Sequence, residues 1–132
     1  MAMLRNKFWE EKERFTCGGS VITDRWVVTA AHCLDAYTTG RVPIRKSLKF
    51  IPNNSENLEV RLGEHQRSIS YESDITKSFD VDRIVKHPQY INPTNDIALL
   101  RLIEKPDISI YVPVCLPFQG EDFTGFDGIV TG

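Results

Sequence analysis

Long apolar runs are missing from this chain of 132 residues, and with them any α-helical bilayer span, which needs about 20 consecutive apolar residues. The opening residues do not read as a secretory leader. Met1-Ala2-Met3-Leu4 gives way at once to Arg5, Asn6 and Lys7, where a leader would hold a longer apolar stretch. That opening has the pattern of an amphipathic strand, so the chain is expected to begin inside a domain. There is no excess of basic charge: Lys and Arg total 16 against 18 Asp and Glu, a net charge of −2. The basic residues are scattered, so nothing points to nucleic acid. No C-x-x-C or H-x-x-x-H spacing occurs, and the adjacent His32 and Cys33 are poor joint ligands for one ion, which argues against a zinc site. Repeats, heptads and low-complexity tracts are absent.

Cysteine is scarce and odd in number. Of the three, Cys17 and Cys33 lie near one another and Cys115 is distant. An oxidising compartment would leave one pair and one thiol seeking a partner elsewhere; a reducing one would leave three free thiols, and the count alone does not choose. Asn53-Asn54-Ser55 is an N-glycosylation triplet, whereas proline disqualifies Asn92-Pro93-Thr94. The hydrophobic fraction of 41% is enough for the core of one domain.

What is present is centred on Val27-Val28-Thr29-Ala30-Ala31-His32-Cys33. An apolar run climbs to a small-residue turn that presents a histidine, the side chain best suited to moving protons near neutral pH. Around it strand signals dominate. Strands are expected over Met1–Arg5, Phe15–Ile22, Trp26–Thr29 and Leu58–Leu62. Another alternates Phe79, Val81, Arg83 and Val85 with Asp80, Asp82, Ile84 and Lys86. A buried one runs over Ile97–Leu102, and a last one opens at Gly128–Thr131. Gly18-Gly19 marks a bulge or a close backbone approach. Ala30–Leu34 reads as one helical turn. Lys7–Arg14 reads as a hairpin loop, and Asp35–Asn57 as a long loop made basic by Arg41, Arg45, Lys46 and Lys49. That loop either restricts access to its surroundings and favours an acidic partner, or is a solvated insertion. Pro106–Pro117 is an extended connector. Short strands joined by turns, with little helix, predict an all-β antiparallel barrel or sandwich.

Two segments then identify a relative. Phe15-Thr16-Cys17-Gly18-Gly19-Ser20-Val21-Ile22 followed by Trp26 to Cys33, and Asn95-Asp96-Ile97-Ala98-Leu99-Leu100-Arg101-Leu102, resemble the chymotrypsin/trypsin family of serine peptidases. Val60 to His65, His87-Pro88-Gln89-Tyr90 and Val114-Cys115-Leu116-Pro117 match lesser landmarks of that family in the same order. The resemblance implies two six-stranded Greek-key barrels with the active site between them. This chain would supply the first barrel (about residues 1–105), the inter-barrel connector (about 106–127) and the start of the second barrel (128–132).

The resemblance also implies the chemistry: hydrolysis of peptide bonds by a Ser-His-Asp triad in a secreted endopeptidase made as a zymogen. His32 would be the general base and acid, Asp96 its orienter, and the Thr29 hydroxyl a support for Asp96. Cys17 and Cys33 would form a disulfide pinning the histidine turn. Cys115 would pair with a pro-segment outside the chain, or remain a free thiol. Glu64 would be the first ligand of a calcium ion, with Glu72 and Asp74 nearby; an acidic surface loop explains the same residues. No cofactor is required, and the partners implied are protein or peptide substrates and the second barrel, with neither nucleic acid nor membrane. The Gly-Asp-Ser-Gly-Gly segment that carries the family's nucleophile does not occur. Ser20 lies in the Cys17 strand and no other serine has that context, so the chain alone is expected to be inactive. An alternative is a non-catalytic relative that binds partners through the barrel surface. A single barrel would also expose the face meant for the second, which predicts a marginal fold and self-association.

Overall fold

The computed structural model describes residues 1–7, 15–35, 41–42, 49–50, 55–63 and 75–129. Its strands are β1 (Ala2–Asn6), β2 (Phe15–Val21), β3 (Trp26–Thr29), β4 (Arg41–Val42), β5 (Lys49–Phe50), β6 (Leu58–Leu62), β7 (Lys77–Lys86) and β8 (Ala98–Leu102). Six of them close a barrel in the order β1-β2-β3-β8-β7-β6, with every neighbour antiparallel. Closure removes the free edges that an open sheet would offer to other chains. The all-β barrel read from the sequence is therefore the observed architecture. β4 and β5 form a separate two-stranded ribbon inside the stretch that had read as loop. With two residues in each strand, it is too short for any alternation to register.

Period-two alternation decides which side chains fill the barrel. Val60 and the two flanking leucines Leu58 and Leu62 point inward from β6; Ala98, Leu100 and Leu102 do the same from β8. Leu4, Val27, Leu34, Phe79 and Val81 join them in the buried cluster, with Ala2, Val21 and Ala31. One expectation fails here, because the barrel has only one inner face. Ile97, read as part of a buried run, precedes β8 and is 47% exposed. Along β7 the inward set does not continue from Phe79 and Val81 to Arg83 and Val85. Val81 pairs with Leu102 and Arg83 with Arg101, so Asp82 is an extra residue that shifts the register. A one-residue bulge exchanges the two faces, and beyond it Ile84 packs on the core while Val85 is exposed.

Gly19 is the close approach that its sequence context predicted. A Cβ there would meet the Val28 carbonyl oxygen at 2.8 Å and Val27 Cγ1 at 3.1 Å. A second bulge lies beside it, where Leu4 faces Cys17 and Arg5 faces Phe15.

After β8 the chain runs irregularly to residue 129. Tyr111 stacks edge-on against Phe79 with ring centroids 5.8 Å apart and donates its hydroxyl to the Ile75 carbonyl at 2.6 Å. Val114 N–H donates to Val21 C=O at 2.8 Å. Gly128 and Ile129 belong to no strand, and residues 130–132 of the strand expected there lie outside the described residues. So do residues 8–14 of the expected hairpin loop. Among the described residues no helix is long and apolar enough to cross a membrane.

Candidate active site

The barrel's strand order explains how two residues distant in sequence can meet. β3 and β8 are neighbours with Thr29 opposite Ala98. The end of β3 and the start of β8 therefore emerge at the same rim. Three residues past Thr29 comes His32, and two residues before Ala98 comes Asp96.

Local chemistry shapes both approaches. After β3, Ala31–Leu34 form a 3₁₀ turn. Ala31 and Leu34 are fully buried while the side chain of His32 is 52% exposed. The turn is thus anchored by its apolar members and offers the imidazole to solvent. Before β8, Asn95 has φ of 54°, a left-handed conformation that asparagine tolerates better than most residues. Its side-chain amide donates to the Gln89 carbonyl at 2.9 Å, and its own carbonyl accepts from Ile97 N–H at 2.8 Å. The Asn92–Pro93 peptide bond in the same loop is cis.

Asp96 receives two hydrogen bonds from one residue: His32 Nδ1 lies 2.7 Å from Oδ2, and the His32 backbone N–H donates to Oδ1 at 2.8 Å. A carboxylate only accepts, so the proton between them sits on Nδ1. That leaves Nε2 of the neutral ring with its lone pair free to accept. The bond from the His32 ring, then those from the His32 and Ala31 backbone, hold the Asp96 carboxyl below the ordinary carboxylate value.

The turn is tied to the barrel in two further places. A disulfide joins Cys17 on β2 to Cys33, with Cα atoms 6.0 Å apart. Asp35, just past the turn, takes an ion pair from Lys86 Nζ at 2.5 Å and a hydrogen bond from the Tyr90 hydroxyl at 3.1 Å. Lys86 also lies 5.3 Å from the Tyr90 ring centroid. Burial, then the Asp35 carboxylate, push the Tyr90 phenol above its usual value, and Asp96 adds to the effect. Sequence reasoning missed this brace. His87-Pro88-Gln89-Tyr90 pointed to the segment, but the Asp35–Lys86 pairing exists only because the turn packs on the end of β7.

Thr29 requires a correction. Its hydroxyl donates to the Gly18 carbonyl at 2.8 Å, not to Asp96. One hydroxyl has one proton to give, and the side chain of Thr29 is turned into the barrel, 6% exposed, beside β2. Thr29 therefore ties β3 to β2, next to the disulfide.

Cys17, His32 and Cys33 place ligand-type atoms within 4.8 Å of one another. The two sulfurs are bonded to each other rather than present as thiolates, so this group does not suit a metal ion. Cys115 is an exposed free thiol. Glu64, Glu72 and Asp74 of the calcium expectation, Asn53 of the glycosylation triplet and most of the basic loop lie outside the described residues.

Comparison with known proteins agrees with this architecture. Residues 2–131 match the protein family described as Trypsin. A venom serine protease of Polistes dominula is 36% identical over 104 residues, covering 78% of this chain and 33% of that protein. Vitamin K-dependent protein C of Rattus norvegicus is 37% identical over 116 residues, covering 84% of this chain and 20% of that protein. An inactive CLIP domain-containing serine protease, A28, of Anopheles gambiae is 37% identical over 114 residues, covering 84% and 26%. The chain thus spans no more than a third of the length of these curated relatives. With a closed antiparallel barrel, a histidine turn stapled to β2 and a family match along almost its whole length, this chain belongs to the trypsin family of serine proteases.

Proposed function

We propose that the chain is the first-barrel part of the catalytic domain of a secreted serine endopeptidase made as a zymogen, with His32 as general base and acid and Asp96 as its orienter. The observation that carries this reading is the pair of hydrogen bonds from His32 to Asp96, at 2.7 and 2.8 Å. They hold the ring in the tautomer whose Nε2 can take a proton from a serine hydroxyl, and they place a negative charge beside the ring when it becomes imidazolium. Nε2 then returns the proton to the leaving amine. The serine, the oxyanion donors and the specificity pocket would come from a second barrel, because no Gly-Asp-Ser-Gly-Gly run occurs in this sequence. Proteases of this family generally need no cofactor. Their substrates are proteins, and those of this protein would be cleaved outside the cell. Cys115, an exposed free thiol, would pair with a pro-segment.

The test is labelling with a fluorophosphonate, which reacts with an activated serine. The chain alone should remain unlabelled. The same chain extended through its downstream coding sequence should be labelled after activation, and the label should be lost in His32→Ala. Labelling that does not depend on His32 would refute the assignment. The second reading, a non-catalytic relative that binds partners through its barrel, is favoured by the similarity to the inactive A28 protein. A downstream sequence without a nucleophile segment would select it.

A further inference from the structure

His32 Nε2 lies 3.6 Å from Cys33 Sγ. A disulfide sulfur has no proton to give, and with Nδ1 protonated toward Asp96 the neutral ring has none on Nε2 either. In the disulfide form this is a contact without a shared proton. The balance changes if Cys33 becomes a thiolate. An imidazolium N–H would then face a sulfur anion at short range, with the Asp96 carboxylate on the far side of the ring. A thiolate beside a histidine cation is strongly favoured over the thiol, and a thiol of low pKa is the better leaving group in disulfide exchange. The sulfur of Cys17 lies within 4.8 Å of the same group of atoms, the 3.6 Å contact with Nε2 being made by Cys33 Sγ, and both cysteines are partly exposed.

We propose that the Cys17–Cys33 disulfide is a thiol-exchange site for small thiols such as glutathione, with His32 stabilising Cys33 as the leaving group. The incoming thiol gives its proton to the free lone pair of His32 Nε2 and bonds as a thiolate to Cys17 Sγ; the Sγ–Sγ bond breaks, and its electron pair passes to Cys33 Sγ, which the resulting imidazolium Nε2–H holds as a thiolate. Cys33 is reduced and the incoming thiol oxidised to a mixed disulfide. A second thiolate attacking the glutathione sulfur releases Cys17 and completes a two-electron reduction by two thiols. The exchange releases the histidine turn from β2, so it bears on how His32 is held. It does not depend on whether His32 also serves a serine.

The experiment uses the whole native chain with Cys115 first capped by N-ethylmaleimide. After brief exposure to glutathione at pH 7 and an acid quench, peptide mass mapping reads which cysteine carries the adduct. The adduct is expected on Cys17 in about tenfold excess over Cys33. In His32→Gln the ratio should fall toward one and the reaction should slow by a similar factor. His32→Ala provides the same comparison if the glutamine perturbs the turn. An adduct mainly on Cys33, or an unchanged ratio in the His32 variants, would overturn the proposal, since the preference for Cys17 would then reflect access alone.

Discussion

Irregular backbone around His32 is tied down from several directions: the disulfide to β2, the Asp96 carboxylate, and the Lys86–Asp35–Tyr90 cluster at the end of β7. The equally irregular stretch after β8 is treated differently. Up to Val114 it is held by ion pairs from Lys77 to Glu104 and Lys105 to Asp24, by Tyr111, and by the Val114–Val21 hydrogen bond. Beyond that, the hydrogen bonds seen among the described residues link near neighbours, such as Phe118 with Glu121 and Asp122 with Thr124. Phe118, Phe126 and Ile129 are 83%, 76% and 93% exposed. The contrast separates two uses of loop. One is held by several contacts to the barrel; the other leaves large apolar side chains exposed.

The sharpest way to break that contrast is to remove a side chain from each region. Leu100 is fully buried, and Leu100→Ala should lose about 2–5 kcal/mol of stability in chemical denaturation. Phe118→Ala should change it by less than about 0.5 kcal/mol, while reducing dye binding and self-association, because exposed apolar patches drive both. A large loss of stability in Phe118→Ala would mean that the connector is part of the barrel's cooperative unit.

Next in size is the staple. The disulfide closes a loop with a sequence separation of 16, and Cys17→Ala with Cys33→Ala should cost about 3 kcal/mol by the chain-entropy account. Full retention of stability would show that the other ties already hold the turn. Asn95→Ala should cost about 1 kcal/mol, since alanine resists the left-handed backbone at that position, and Asn95→Gly should cost less. The pair can be compared by thermal melts.

The smallest expected effect depends on pH. The folded-state Asp96 carboxyl sits below its ordinary value, so its contribution to stability is present above the ordinary carboxylate range and is lost as pH falls through the lowered folded value. Asp96→Asn should therefore melt below the parent at pH 7 and converge with it in acid. Asp107 and Asp122 are lowered as well, through the Ser109 and Thr124 hydrogen bonds, but those partners sit two residues away. Asn substitutions at these positions should shift the melt of the barrel little at any pH. A difference between Asp96→Asn and the parent that persists unchanged into acid would mean that the ionised Asp96 carboxylate is not what holds the turn.

Most of the barrel was legible because alternation is a local signal: Leu58–Leu62 and Trp26–Thr29 have the same bounds in sequence and structure. β7 was legible in extent but not in face, because a bulge at Asp82 is set by its partner strand rather than by its own residues. His32 stood out from its own turn, but its pairing with Asp96 was legible only through resemblance; nothing in either segment alone says that they touch. Thr29 shows the limit of that route, since a hydroxyl assigned to Asp96 on family grounds is committed to Gly18.

By itself, then, the sequence determined the approximate positions of the six barrel strands, the apolar turn that exposes His32 and a bulge or close approach at Gly18-Gly19, since these follow from side-chain period, size and backbone freedom over a few residues. Only the tertiary structure decided which rim His32 and Asp96 share, that Lys86 and Tyr90 brace Asp35, and that His32 lies against the Cys33 sulfur. Those pairings follow from placing β8 beside β3 and β7 beside β8, and strand order is a property of the closed barrel, whose partners no local stretch of sequence encodes.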